Sequence, residues 1–126
     1  MTSHQTILVV DDEASVRRSL QAILDRDFSV AAFSNGRDAL KFIEDHPGLV
    51  QAALIDYAMP EMDGNAVCAD LRTLDSTISL IGFSGNENAL FREPLFAKLL
   101  KKHISVDHVV ELATDAVCLS EQRRRR

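Results

Sequence analysis

No stretch of this 126-residue chain is apolar for long enough to cross a bilayer, so a transmembrane helix is excluded by length alone. Met1-Thr2-Ser3-His4-Gln5 lacks the basic-then-apolar pattern of a secretion signal, and the expectation is a cytoplasmic protein without membrane insertion. Cysteine is scarce. The two present, Cys68 and Cys118, stand far apart in apolar periodic segments, which argues against a disulfide framework and predicts buried, reduced thiols. The four histidines, His4, His46, His103 and His108, fall at no spacing that suits zinc. Low-complexity segments and internal repeats are missing too. Positive charge is short: net charge is −5, and setting aside the +4 of Arg123 to Arg126 leaves −9 on residues 1–122. A field of that sign repels nucleic acid, so direct DNA binding by the folded part is not expected, although a local basic docking surface remains compatible with it. Residues 120–126 read as a basic, disordered tail, since a short terminal charge run is usually a solvated, frayed end.

What is there suits one globular domain. A chain of this length buries roughly two-thirds of its unfolded surface, and 46% hydrophobic with 26% charged residues is an ordinary balance. Apolar runs alternate with helical patterns five times, the signature of an α/β fold with a parallel sheet. The runs Ile7-Leu8-Val9-Val10 and Ala52-Ala53-Leu54-Ile55 are unbroken, as strands covered on both faces require. Further strands are expected at 28–33, 78–83 and 96–100. Between them, Val16, Leu20, Ile23 and Leu24 recur at helical spacing, Ala39, Leu40 and Ile43 mark a second helix, and Val67, Cys68 and Leu71 a third. Pro94 limits the next helix to a stub near residues 88–92. The last helix is the clearest, with Ser105 as its cap and Val106, Val109, Val110, Ala113 and Val117 as its apolar stripe.

Both unbroken runs end in acid: Asp11 and Asp12 after the first, Asp56 after the second. The carboxyl ends of parallel strands form the ligand crevice of open α/β sheets, so adjacent strands ending this way converge three carboxylates on one small volume. Such charges repel unless a cation neutralises them, and oxygen-only ligands with room for water suit Mg²⁺.

Asp11-Asp12 after the first strand, Asp56 followed by Met59-Pro60 and Asp63-Gly64, Ser84 ending the fourth strand and Lys102 ending the fifth stand in the order found in response-regulator receiver domains. Over residues 5–119 the chain resembles that family, particularly its single-domain chemotaxis-type members. The resemblance implies a doubly wound, flavodoxin-like (βα)5 fold with five parallel strands in the order 2-1-3-4-5 and a shortened fourth helix. It implies that Asp56 is the phosphoacceptor of a two-component phosphorelay, with Mg²⁺ held by Asp11, Asp12, Asp56 and the backbone carbonyl of Ala58. Lys102 would pair with the phosphoryl charge, Lys101 being the weaker candidate, and the Ser84 hydroxyl would donate to a phosphoryl oxygen and shift a protein-binding surface. The implied partners are a histidine kinase or phosphotransfer protein upstream, and downstream an effector protein or a covalently following output domain; a homodimer formed on phosphorylation is a further expectation.

The chain departs from the family pattern in places. His103 follows Lys102 where proline is usual, Leu99 stands where an aromatic is usual, and the stretch from Ser84 to Lys102 is short. That region raises the alternative of a pseudo-receiver that docks a partner constitutively. A phosphohydrolase of the haloacid-dehalogenase type is disfavoured, because Ala58 occupies the place of its second aspartate. So is a flavodoxin, because no Ser/Thr/Gly-rich loop follows the first strand. Ala58 and Asn86 take the two positions that tune dephosphorylation in the family; alanine cannot orient water, so slow loss of phosphate is expected. Pro60, Gly64 and Gly85 read as a rigid loop, a helix start and room for a phosphoryl group.

Overall fold

In a computed structural model, which describes residues 5–101 and 104–125, β1 (Thr6–Val10) lies inside a sheet ordered β2-β1-β3-β4-β5. The neighbours are β2 (Ser29–Phe33), β3 (Val50–Asp56), β4 (Ser79–Ser84) and β5 (Ala97–Leu100), and every pairing is parallel. Parallel strands need crossovers, and α1 (Ala14–Leu24), α2 (Gly36–Asp45), α3 (Gly64–Leu74) and α4 (Val106–Arg124) lie along the chain between and after them. Side chains alternate along a strand, so each central strand feeds two cores. Ile7 and Val9 pack with Leu54, Ile81 and Phe83 under Leu20 and Leu24 of α1 and Val109, Ala113 and Val117 of α4. Leu8 and Val10 pack with Ala53, Ile55 and Leu80 under Ala39 and Ile43 of α2 and Val67, Cys68 and Leu71 of α3. The strand order and the doubly wound architecture are those expected, and boundaries differ by one residue at several ends.

Three expectations are corrected. No helix forms between β4 and β5, not even a stub: residues 85–96 cross from one strand to the other as a loop. Asn86 diverts the segment, because its side chain accepts from Asn88 N at 2.9 Å and its carbonyl from Ala89 N at 3.1 Å, local bonds that compete with a helix. The Asn65 side chain then clamps the loop to α3, donating to Leu90 O at 2.9 Å and accepting from Arg92 N at 2.7 Å. Phe91 fills the space a helix would cover: it meets Tyr57 edge-on at 5.1 Å and lies over Gly82, where an added Cβ would stand 2.6 Å from its ring.

The second correction concerns the terminus. Helix α4 continues to Arg124 and Ser120 is fully buried, so most of the segment expected to be a disordered tail is helical. Arg124 explains why. Its guanidinium donates to Gly48 O, to Val50 O at 2.6 Å and to Thr77 Oγ1 at 2.9 Å, and pairs with Asp75 at 3.1 Å. The third concerns caps and burial. Ser105 stands at the N-cap of α4 without a side-chain bond, Val106 is exposed, and Cys118 is exposed while Cys68 is buried. Asn35 and Asp63, by contrast, cap α2 and α3 by accepting from Asp38 N and Ala66 N. Among the described residues no helix is long and apolar enough to cross a membrane.

Candidate functional site

The carboxyl end of the sheet gathers the acidic residues. Val10 of β1 pairs in register with Ile55 of β3, so Asp11, one residue past its strand, stands beside Asp56 at the end of its own. Asp11, Asp12 and Asp56 each offer an oxygen, and these oxygens lie within 4.8 Å of one another. Asp11 is 1% and Asp56 3% exposed, while Asp12 faces solvent. Asp11 Oδ1 accepts from Glu13 N at 2.9 Å, which fixes that carboxylate. Its Oδ2, like Oδ2 of Asp56, is buried with no hydrogen-bond partner among the described residues.

Lys101, just past β5, answers the negative charge. Its Nζ lies 2.9 Å from Asp11 Oδ2, 3.2 Å from Asp56 Oδ2 and 3.1 Å from Glu13 Oε1, and 5.6 Å from the centre of the Phe83 ring. Only the Glu13 contact has hydrogen-bond alignment. Burial, reinforced by the Asp11 charge and opposed by Lys101, raises the Asp56 carboxyl to about 6. Burial works against the Lys101 ammonium, yet its contacts with Asp11 and Glu13 and the charges of Asp11 and Asp56 raise it above the ordinary lysine value. One lysine does not balance the carboxylates of Asp11, Asp12, Glu13 and Asp56, and the all-oxygen donor set of the three aspartates fits a hard divalent ion such as Mg²⁺.

The remaining expected residues are distributed as follows. Ser84 ends β4 one position beyond Phe83, the register partner of Asp56, but its Oγ donates to Asn86 O and accepts from Asn86 N, both at 3.0 Å. Ala58 is exposed in the loop after β3. Lys102 lies outside the described residues. Gly64 does start α3, and it also lets that helix approach β3: an added Cβ would stand 2.4 Å from Asp56 O. At Gly85 an added Cβ would meet no atom within 4 Å, so the position borders open space. Glu13 was not anticipated; its signal is the third consecutive acid after β1. Nor were Tyr57 and Phe91, whose contact spans a loop that periodicity does not describe.

A doubly wound parallel sheet with an acidic cluster and a lysine at its carboxyl edge defines a class, and the comparisons agree. Residues 7–114 match the family model of the response regulator receiver domain, and the chain belongs to that family. It is 33% identical over 124 residues to the hydrogenase transcriptional regulatory protein HoxA of Bradyrhizobium diazoefficiens, covering 94% of this chain and 25% of that one. It is 33% identical over 101 residues to the sensor kinase CckA of Brucella abortus, covering 79% of this chain and 10% of that one. The chain thus spans a quarter or less of either relative. Among solved structures, the signal receiver domain of an HD domain-containing protein from Pseudomonas fluorescens Pf-5 superposes with a TM-score of 0.89 at 18% identity, covering 100% of this chain and 96% of that one. The receiver domain of the hybrid histidine kinase CckA gives 0.76 at 26%, covering 89% and 98%.

Proposed function

We propose that Asp56 accepts a phosphoryl group from a phosphohistidine of a histidine kinase or phosphotransfer protein, or from a small phosphodonor. A carboxylate oxygen of Asp56 attacks phosphorus in line; the bond to the donor imidazole nitrogen breaks, and that nitrogen keeps the electron pair. The product is a mixed anhydride on Asp56. When bound, a Mg²⁺ held by Asp11, Asp12, Asp56 and the carbonyl of Ala58 supplies charge neutralisation for the transferring oxygens. Lys101 pairs with the phosphoryl charge, a role its present contacts favour and in which Lys102 remains the alternative. Ser84 exchanges its bonds to Asn86 for one to a phosphoryl oxygen, and the loop at 85–96 moves with it, so that output is a changed docking surface for an effector or a following output domain. A kinase-coupled role carries a cytoplasmic setting with it.

The observation that carries this reading is the convergence of the buried Asp11 and Asp56 carboxylates on one lysine, with Asp12 beside them. The test is the intact mass of the protein before and after treatment with a small phosphodonor and Mg²⁺. Wild type should gain one phosphoryl group and Asp56→Ala none; a gain retained by Asp56→Ala removes the assignment.

A further inference from the structure

Glu13 occupies an unusual place for a residue at the start of a helix. It is the N-cap of α1, its N–H goes to Asp11 and its carbonyl accepts from Arg17 N at 3.1 Å, yet its side chain makes no capping bond. The side chain reaches instead to the end of β5, 88 positions along the chain, and accepts from Lys101 Nζ at 3.1 Å. Lys101 is therefore shared among three carboxylates, and its one aligned hydrogen bond goes to the most exposed of them. The Glu13 side chain is 58% exposed, against 1% for Asp11 and 3% for Asp56. The two buried oxygens next to the same ammonium are left without a hydrogen bond.

Resting on the phosphoacceptor reading above, we infer that Glu13 is a positioning residue that competes with an incoming phosphoryl group for the Lys101 ammonium, which it shares with Asp11 and Asp56. Engaging the phosphoryl oxygens requires Lys101 to give up or share its bond to Glu13, so the pair opposes the switched state by the strength of that contact. The backbone of Glu13 is fixed through Asp11, so the residue acts from a defined position. The reach of its side chain decides whether it meets Lys101. Aspartate, one methylene shorter, keeps the charge while losing the reach.

The experiment measures the affinity of the Mg²⁺-loaded protein for beryllofluoride, a phosphoryl mimic, through amide shifts of Asp56 and Ser84. Glu13→Gln and Glu13→Asp should both bind the mimic more tightly than wild type by about two- to fivefold, the size expected of a half-exposed ion pair. In a Lys101→Ala background both changes should become silent, since the partner they release is gone. Two results overturn the inference: Glu13→Asp behaving as wild type, which would make the effect one of charge alone, or an unchanged Glu13→Gln effect without Lys101. Failure of wild type to bind the mimic at all, with Mg²⁺ present, would instead remove the phosphoacceptor reading and this inference with it.

Discussion

Asp56 is held in the folded chain at a protonation equilibrium its sequence neighbours do not impose. Burial first, and the Asp11 charge second, lift it from 3.8 to about 6. Between those two values the folded state binds more protons than the unfolded one, so this group lowers stability as pH rises through the interval, and the loss is complete above the folded value. The metal-free Asp56→Asn protein should therefore be more stable than wild type at pH 7.5 by about 1–3 kcal/mol. The advantage should shrink as pH falls through about 6 and vanish near 3.8. Urea unfolding with a chelator present measures this; an advantage that does not change between pH 4 and 8 would contradict the raised protonation equilibrium of Asp56. At the same scale, Ala58 offers no group to orient a water. Ala58→Asn should speed loss of phosphate from the acyl phosphate, and a chemically phosphorylated variant that decays no faster than the parent would count against that role.

At the scale of elements, the crossover at 85–96 differs most from a regular (βα)5 unit. It is held by the two Asn65 bonds, by Phe91 between Tyr57 and Gly82, and by Arg72 donating to Pro94 O at 2.8 Å. Since Tyr57 follows Asp56 directly, the loop touches the residue next to that carboxylate, while Leu99 is a buried member of the core on the α1 and α4 side. Asn65→Ala removes one donor and one acceptor from the loop and should cost about 1–2 kcal/mol. Faster amide exchange at Leu90 to Arg92, with the exchange of β1 and β3 amides kept, is the expected signature. Uniform acceleration through the sheet would mean that the loop unfolds only with the whole domain.

At the scale of the molecule, Arg124 ties the end of the longest helix to the turns before β3 and β4. Its partners are Gly48 and Val50, before and at the start of β3, and Asp75 and Thr77, before β4, so a single guanidinium closes the end of the sheet opposite the acidic pocket. Two backbone carbonyls lose a charged donor in Arg124→Ala, and a loss of about 2–3 kcal/mol is expected. Because the contact lies far from the carboxylates, phosphoryl uptake at Asp56 should be unchanged below the lowered melting temperature. Thermal melts paired with intact mass separate the two effects; a variant as stable as wild type would return the terminus to the status of a solvated end.

The strands, their faces and the carboxylate cluster were legible in the sequence because each rests on a short-range signal. Unbroken apolar runs report burial on both faces, and an acid directly after such a run is delivered to the strand end whatever surrounds it. The alternation of strand and helix patterns likewise indicated a parallel sheet, whereas its strand order was implied by the resemblance to receiver domains. What the sequence could not decide depends on partners remote along the chain: Lys101 meeting Glu13, Asn65 and Phe91 replacing a helix, Arg124 fastening residues that read as a frayed tail. Those choices were made only in the tertiary structure, because the free energy of a side-chain contact exists only once both ends are in place, and periodicity records nothing of the second end.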